Sequence, residues 1–367
     1  FQAEDGIRDD WLRLVGSEMC IRDRLISFPG SPDPTSNALV AAGAVATELL
    51  FTDTDGATKL DHEIELYNPA TGELVAWVEV DLTLSTDKTI YLYYGNTVDP
   101  GTDQQNATGV WDSNFVGVWH LSESPNDGVA GHVDSTGNLN TGTPQNFQDA
   151  AGTTNATGKI GGADYFAGDN DYVDCGNNAI LDVNYVTVEV WVNVNNWVRD
   201  GGILAKGDNA YRQYWMWVYD TVPGSFAGSF EVDEAGHYNN AWNFTSGAWH
   251  HLVLTYDGSN VITYRNGVQE NIYPQTTGII DSQVPNLLFG YIPGFSYFDG
   301  TLDEIRISNT SRSPNWIQTN HNTQNDPATF IKSVGAEEVV FTLLGRYCFN
   351  EAASGQGPAT VFDTEAS

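Results

Sequence analysis

From residue 25 onward, apolar and polar residues alternate in short runs that are bounded by glycine, asparagine, aspartate and proline. In the run 186–194 (VTVEVWVNV), alternate valines fall on one face of a strand, and Glu189, Trp191 and Asn193 fall on the other. Comparable runs occur at 73–82, 89–96, 214–219, 250–256, 260–267, 286–291 and 300–308. Because such runs recur with little helical periodicity, the pattern predicts an all-β protein built of tandem β-sandwiches.

Turn and cap residues refine this prediction. Four dipeptides that tolerate positive φ predict tight turns: Asp55-Gly56, Asp257-Gly258, Asn266-Gly267 and Asp299-Gly300. The segment 313–323 (SPNWIQTNHNT) predicts a short helix, with Ser313 as its N-cap and Pro314 at its first helical position. We therefore expect many hairpin-linked strands and one helical interruption.

The chain divides into four predicted blocks. Residues 1–24 carry four of the ten arginines and resemble translated sequencing-adapter read-through, so we expect no domain there. A repeat links 117–124 (GVWHLSES) with 345–352 (GRYCFNEA), which predicts that a second module starts near the end. The predicted blocks are 1–24 (no domain), 25–112 (a small β domain), 113–338 (a full β module) and 339–367 (the truncated start of a second module).

The charge balance excludes some partners. There are 15 Lys and Arg against 48 Asp and Glu, which gives a formal net charge of −33. Nucleic acids and anionic bilayers attract clustered basic side chains, so neither is expected as the main partner. No run of about 18 apolar residues predicts a membrane-spanning helix. The three cysteines are far apart and odd in number, which argues against a disulfide framework.

Six sequence landmarks carry a family resemblance. They are GVWHLSE (117–123), DSTGNLNTG (134–142), GADYFAGDNDYVDCG (162–176), TVEVWV (187–192), GAWHHLVLTYDGSNVITYRNGV (247–268) and FDGTLDEIRIS (298–308). In this order they resemble a laminin-G-like module of the concanavalin A-like lectin/glucanase type. The resemblance implies a jelly roll for residues 113–338.

The preceding segment carries a second resemblance. Residues 45–115 resemble a bacterial domain of unknown function that commonly precedes such modules in large exported surface proteins. Together the two resemblances imply an extracellular or cell-surface location. They also imply that further domains of the same parent chain flank this segment.

The carboxylates of the chain bear on catalysis. Glucanase relatives of this fold carry their catalytic acids on one strand as E-x-D-x-x-E or E-x-D-x-E, because alternate side chains share a face. The nearest string here is Glu231-Val232-Asp233-Glu234, in which the third acid falls on the wrong face. We therefore expect no catalysis. Two alternatives stay open: a glycoside hydrolase or polysaccharide lyase with this segment as an accessory module, and a spacer in an adhesin stalk.

Aromatic side chains supply the candidate binding site. Sugar sites pair flat aromatic rings with polar side chains, and we expect a polysaccharide or cell-surface glycan as the partner. The candidate binding residues are Trp215, Trp217 and Tyr219 on one strand face, with His237, Tyr238 and Trp242 in the following stretch. The alternative for Trp215 and Trp217 is a place in the core.

Calcium is the expected cofactor, in a structural role. Ca²⁺ takes six to eight oxygen ligands from carboxylates, amides and carbonyls. The candidate ligands are Asp134, Asn138, Asp169 and Asp303. The family resemblance implies that such an ion joins an early loop to Asp303 in the last strand. The alternative is that these aspartates cap turns and accept hydrogen bonds at a strand start.

Overall fold

The structure is a computed structural model of the chain. It describes residues 8–14, 23–31, 37–81, 88–95, 102–125, 131–147, 155–195, 201–208, 212–222, 225–232, 238–244, 246–274, 285–327, 331–334 and 338–339. No helix in these residues is long and apolar enough to cross a membrane. The predicted second module at 339–367 lies almost wholly outside them, so its repeat stays a prediction.

The elements of the first domain are short strands and two short helices. In chain order they are β1 (Arg8–Leu14), β2 (Asp23–Phe28), α1 (Ala38–Ala42), β3 (Leu50–Thr52), β4 (His62–Asn68), β5 (Glu73–Glu79), β6 (Lys88–Tyr94) and α2 (Ala107–Val110). A 3-10 helix spans Ala46–Glu48.

The β module follows with sixteen strands, one helix and a short 3-10 turn at Ala179–Leu181. The first eight strands are β7 (Phe115–Trp119), β8 (Thr143–Gln145), β9 (Asn155–Thr157), β10 (Gly162–Ala167), β11 (Tyr172–Asp174), β12 (Val186–Val194), β13 (Gly201–Gly207) and β14 (Arg212–Val222). The next eight are β15 (Ser225–Val232), β16 (Tyr238–Phe244), β17 (Trp249–Tyr256), β18 (Asn260–Arg265), β19 (Val268–Pro274), β20 (Leu287–Phe289), β21 (Ser296–Tyr297) and β22 (Asp299–Ser308). The chain then forms α3 (Pro314–Asn325), β23 (Ile331–Val334) and β24 (Glu338–Val339).

Two sheets form the first domain. One has the order β23-β1-β6-β3 with β24 paired to β1, and the other has the order β2-β5-β4. The predicted domain bounds stay a prediction. In this structure Arg8–Leu14, from the block predicted to hold no domain, pairs along the whole of β6. Strand β23, from the block predicted as the full β module, returns to pair with β1. An open edge of β6 can be closed by any chain segment of extended conformation.

Two eight-stranded sheets form the sandwich. We call β19-β18-β17-β12-β22-β10-β9, with β7 on β22, the back sheet, and β16-β15-β14-β13-β20-β11-β8, with β21 on β13, the front sheet. Their inner faces bury one apolar core, to which alternate valines of β12 contribute from Val186 to Val194. The all-β sandwich predicted from the alternation is confirmed, because burying every second side chain removes apolar area from water.

The local signals have mixed outcomes. The predicted helix is confirmed as α3, where the Ser313 side chain accepts the amide of Trp316 at 3.3 Å. Asn266 and Gly267 have φ of 51° and 75° at a tight turn, as predicted. The turn predicted at Asp299-Gly300 is wrong, because both residues lie in β22. Glycine is required there for close packing: a Cβ on Gly300 would lie 2.4 Å from the carbonyl oxygen of Asn193.

The first domain packs against the outer face of the back sheet, which we call the back face. Strand β5 is buried on both sides: Leu74, Ala76 and Val78 join the core of the first domain, and Val75 and Trp77 join a second cluster. The other buried members of that second cluster are Leu25, Val110, Trp111, Phe115, Val118, Ile160, Val253, Tyr264, Trp316 and Ile317. The back face is therefore buried beneath the first domain and α3, and it is not open as a groove.

Candidate functional site

The outer face of the front sheet, here called the front face, carries the predicted aromatic strand. On β14, Tyr214, Met216 and Val218 enter the sandwich core. Trp215 and Trp217 point the other way, as the alternation predicts. The sequence left open which of these two faces packs the core, and the structure assigns the core to the Tyr214 face.

Trp215 and Trp217 are not open to a ligand. The segment between β20 and β21 crosses over them, and the ring centroid of Phe295 lies 5.6 Å from Trp215 and 5.8 Å from Trp217. Their exposed fractions are 0% and 4%, and Ile292 completes the cluster. A sugar ring cannot stack on covered indoles, so the structure favours the alternative in which both tryptophans are packing residues.

Glycine lets this covering segment come so close. A Cβ on Gly202 of β13 would lie 2.5 Å from the backbone nitrogen of Ile292, which real Cβ atoms do not tolerate. Strand β21 then pairs in parallel with β13, with Ser296 opposite Gly201 and Tyr297 opposite Gly202. The segment is therefore fixed to the sheet by both packing and backbone hydrogen bonds.

Three tyrosines are brought together where this segment meets β11, and we call Tyr172, Tyr291 and Tyr297 the tyrosine cluster. The rings of Tyr291 and Tyr297 are stacked, with centroids 4.2 Å apart and an interplanar angle of 16°. The ring of Tyr172 lies 5.9 Å from that of Tyr291. Each of the three is half-buried. Burial and the neighbouring hydroxyls of Tyr291 and Tyr172 raise the pKa of Tyr297.

The tyrosine cluster has the chemistry of a sugar platform. Flat rings contact apolar C–H faces, and phenolic hydroxyls both donate and accept hydrogen bonds. None of the three tyrosines is among the residues predicted from the sequence, because Tyr172 lies far along the chain from Tyr291 and Tyr297. A usable signal was present in 290–298 (GYIPGFSYF), which places four aromatic side chains among glycine, proline and serine.

For the other predicted binding residues, the structure describes at most the backbone. Tyr219 lies on β14 opposite Ala227. Tyr238 and Trp242 lie on β16 at the edge of the front sheet. The side chains of these three residues, and the whole of His237, lie outside the described part of the chain. Their role in ligand binding stays a prediction.

A charged cluster lies buried between the two domains, and we call Glu63, Glu65, His120, Glu304 and Arg306 the interdomain cluster. Nδ1 of His120 lies 2.6 Å from Oε1 of Glu304 and 3.6 Å from Oε2 of Glu65, and Nε2 lies 3.4 Å from Oε2 of Glu63. Arg306 pairs with the other oxygen of Glu304. The guanidinium also lies 4.1 Å above the Trp77 ring, so the cation has an ionic and an aromatic partner.

Two β-bulges build this cluster. In β4, Glu65 is an extra residue between Ile64 and Leu66, which pair with consecutive residues of β5. In β22, three steps from Asp303 to Arg306 oppose two steps of β12, so one residue is again extra. Glu304 has φ of 52° at this point. Each bulge turns an additional carboxylate toward the domain interface.

The charges of the cluster depend on one another. Burial alone would lower the pKa of His120, but the carboxylates of Glu304 and Glu63 raise it well above its usual value. Burial would raise the pKa of Glu304, but His120 and Arg306 hold it low. Burial and the charge of Glu304 raise the pKa of Glu65. The arrangement is that of an imidazolium between carboxylates.

Glu65, His120 and Glu304 are also the residues that could hold a metal ion, since their ligand atoms lie within 4.8 Å of one another. Two ligands of a tetrahedral zinc ion, each about 2.0–2.1 Å from the metal, are about 3.3 Å apart. The 2.6 Å between His120 and Glu304 is instead the distance of a charge-assisted hydrogen bond. The geometry therefore fits a shared proton better than a metal ion.

Among the described residues, the predicted calcium ligands Asp134, Asp169 and Asp303 do not lie together as a group of possible metal ligands. The two carboxylate oxygens of Asp134 accept hydrogen bonds from the amides of Val118, Thr136 and Asn140 and from the Thr136 hydroxyl. The side-chain amide of Asn138 donates to the carbonyls of Phe115 and Val116. These contacts favour the alternative in which Asp134 fixes a turn.

The two other predicted ligands differ from each other. Asp169 is exposed and accepts the amide of Asn170. Asp303 is buried; its Oδ2 accepts the amide of Ile160, and its Oδ1 has no hydrogen-bond partner among the described residues. Burial and the charges of Glu304 and Glu65 raise the pKa of Asp303. The calcium ion stays a prediction. Of the predicted ligands, Asp303 is the best candidate to bind it, because its Oδ1 accepts no hydrogen bond from the described residues.

Comparison with known proteins identifies two families. Residues 166–318 match the model of the concanavalin A-like lectin/glucanases superfamily, and residues 46–121 match the model of a domain of unknown function, DUF2341. The second match includes β7, which belongs to the back sheet of the sandwich. No curated protein matches the chain.

Solved structures with similar folds include domain 4 of AbnA, an extracellular GH43 arabinanase of Geobacillus stearothermophilus in complex with arabinotriose (20% identity, TM-score 0.44, 56% of this chain and 97% of that one). The binding domain of Paraclostridial Mosquitocidal Protein 1 is also similar (14% identity, TM-score 0.44, 57% and 52%), so this chain spans about half of its length. A heptameric SAP-like pentraxin from Limulus polyphemus is a third (16% identity, TM-score 0.32, 37% and 69%). At these TM-scores the similarities have no functional weight.

Proposed function

Since the chain carries a concanavalin A-like lectin/glucanase domain behind a DUF2341 domain, we propose that it binds a polysaccharide or cell-surface glycan without cleaving it. The ligand contacts the front face at the tyrosine cluster. We further propose an exported parent protein, in which this segment holds a surface glycan outside the cell.

The observation that carries the proposal is the stacked pair Tyr291 and Tyr297, half-exposed beside Tyr172. The segment that carries both tyrosines is anchored between them, where Ile292 and Phe295 pack against Trp215 and Trp217. The opposite face of the sandwich is buried under the first domain, so a glycan has access to the front sheet and not to the back sheet. Rigid, amphipathic rings give contact area at low entropic cost, which suits a binding surface.

A hydrolytic role has less support. A retaining glycosidase needs two carboxyl groups about 5–5.5 Å apart on either side of an accessible sugar. The described residues do bring Glu65 and Glu304 close together, but the side chains of both are fully buried in the domain interface. Glu231 lies opposite Trp215 on the front sheet, and Asp233 and Glu234 lie outside the described residues.

Glycan binding is tested on an array with the full chain and with variants of the tyrosine cluster. Tyr291→Ala and Tyr297→Ala should each weaken binding by about 1–3 kcal/mol, as truncation of a central aromatic contact does. Tyr185→Ala is the matched control, since Tyr185 is 43% exposed and lies outside the tyrosine cluster. It should bind as the wild type does.

The outcomes separate the three candidate functions. Retained binding in both cluster variants would remove the tyrosine cluster from the account, and no binding to any glycan would favour the spacer in an adhesin stalk. Release of reducing sugar from laminarin, agarose, alginate or xylan, abolished in Glu231→Gln, would establish the hydrolase alternative instead.

A further inference from the structure

We propose that the first domain is a permanently docked partner of the sandwich, held in register by the buried contacts of His120 with Glu63 and Glu304. This gives the part of the DUF2341 match that precedes β7 a role: it covers the back face and leaves the front face to ligands. The inference is independent of glycan binding, because it concerns the opposite side of the sandwich.

The first support is that the interface has the composition of a core. Trp77 of β5 packs against Trp111, with ring centroids 5.5 Å apart, and Trp111 packs against Phe115 of β7 at 5.4 Å. Leu25 and Val75 of the first domain are buried in the same cluster as Val118 and Val253 of the back sheet. Interfaces that resemble a domain cut in half belong to permanent associations.

The second support is that the buried charges are paired across the interface. Glu63 comes from the first domain, and His120 and Glu304 come from the sandwich. The other carboxylate oxygen of Glu63 accepts the hydroxyl of Ser135 at 2.6 Å, which adds a second contact from the sandwich. A carboxylate buried without its partners is costly, so these pairs oppose both separation and sliding of the two domains.

Every element around His120 supplies a group that bears on its charge. Strand β4 supplies Glu63 and Glu65, and β5 supplies Trp77, whose indole nitrogen donates to Glu65 at 2.8 Å. Strand β22 supplies Asp303, Glu304 and Arg306, and β2 supplies Asp23 at 3.6 Å from Arg306. The buried ring of His120 therefore has ionisable partners from both domains.

The test is calorimetry of the full chain, in which two docked domains unfold as one unit. Glu63→Gln removes the charge that the first domain places against His120, and it should lower the melting temperature of the whole chain. Glu123→Gln is the matched control, because Glu123 lies 3.6 Å from His132 and outside the interdomain cluster.

The number of unfolding transitions tests docking itself. The wild type should unfold in one transition, and His120→Gln should separate it into two. If His120→Gln does not fold, the wild type and Glu63→Gln decide. A wild type whose two domains melt independently would overturn the proposal.

Discussion

The two outer faces of the sandwich differ in what they carry and in whether it is buried. The back face carries charged side chains and buries them, with Arg306 and Glu304 fully enclosed beneath the first domain. The front face leaves three tyrosines half-exposed and buries two tryptophans beneath Phe295 and Ile292. A buried charge has to be paired at a fixed place, whereas an aromatic ring can face either protein or ligand. The back face is therefore specialised for one fixed partner, and the front face for an exchangeable one.

The largest expected effect is at the back face. Arg306→Ala should lower the free energy of unfolding by about 3–5 kcal/mol, because it leaves Glu304 buried with one cation fewer. Arg265→Ala is the control: its partner Glu270 is partly exposed, and loss of such a pair costs about 0–1 kcal/mol. Urea unfolding of the three proteins measures both values. Equal losses in the two variants would mean that the interdomain cluster is no more than a surface ion pair.

On the front face, we expect the buried tryptophans to affect stability and the half-exposed tyrosines to affect glycan binding. Trp215→Ala removes a fully buried indole and should lower the free energy of unfolding by about 3–5 kcal/mol. Tyr297→Ala should weaken glycan binding and change the melting temperature far less, because its ring is only half-buried. Thermal unfolding and titration with one glycan separate the two effects. If Trp215→Ala folds normally and loses binding, Trp215 is a ligand contact after all.

The predicted calcium ion is tested by chelation. When the calcium concentration is 100 times Kd, binding stabilises the folded chain by about 2.7 kcal/mol. A chelator should therefore lower the melting temperature of the wild type, and it should lower that of Asp303→Ala much less. Asp134→Ala should be less stable with or without chelator, since its oxygens accept three backbone amides. A melting curve that chelator leaves unchanged, on protein first loaded with calcium, removes the ion.

The smallest expected effect is a pH dependence. Burial alone would lower the pKa of His132, but Asp164 and Glu123 raise it to about 9. A raised folded-state pKa stabilises the fold below the unfolded value near 6.5, and this contribution is lost as pH rises toward 9. Glu65 acts in the same direction, since its pKa is raised too. His132 alone should therefore lower the free energy of unfolding by about 2 kcal/mol between pH 6.5 and 8.5.

The measurement is thermal unfolding across that pH range in the wild type and in His132→Gln. The stability of His132→Gln should fall less steeply with rising pH, because the variant lacks the proton that His132 holds in the folded state. If the stability of the wild type instead rises toward pH 8.5, the pKa values of His132 and Glu65 are not raised in the folded state.

Short-range patterns in the sequence predicted much of the fold. The alternation in 186–194 assigned Val188, Val190 and Val192 to the core, because neighbouring side chains of a strand must point to opposite faces. Ser313 and Pro314 defined the start of α3 for a similarly local reason. Such signals depend on residues within a few positions of one another, so one sequence is enough to predict them.

Alternation failed where a strand carries an extra residue. A regular β22 would place Glu304 on the inner face with Leu302, but the bulge turns it outward and returns Ile305 to the core. The bulge becomes favourable only because Arg306 and His120 receive the carboxylate. That compensation comes from side chains that meet only in the folded chain, and no local pattern encodes it.

At the candidate site, too, some features follow from the sequence and others only from the tertiary structure. The sequence by itself determined that Trp215 and Trp217 share one face of β14 and Tyr214 and Met216 the other, since this follows from the period of a strand. Tertiary structure alone decided that Phe295 covers them and that Tyr172 joins Tyr291 and Tyr297 at the surface. It also decided that the back face, with Glu189 and Trp191, is buried. The physical reason is that exposure depends on which distant segment packs over a face, whereas the direction of a side chain depends on its own strand.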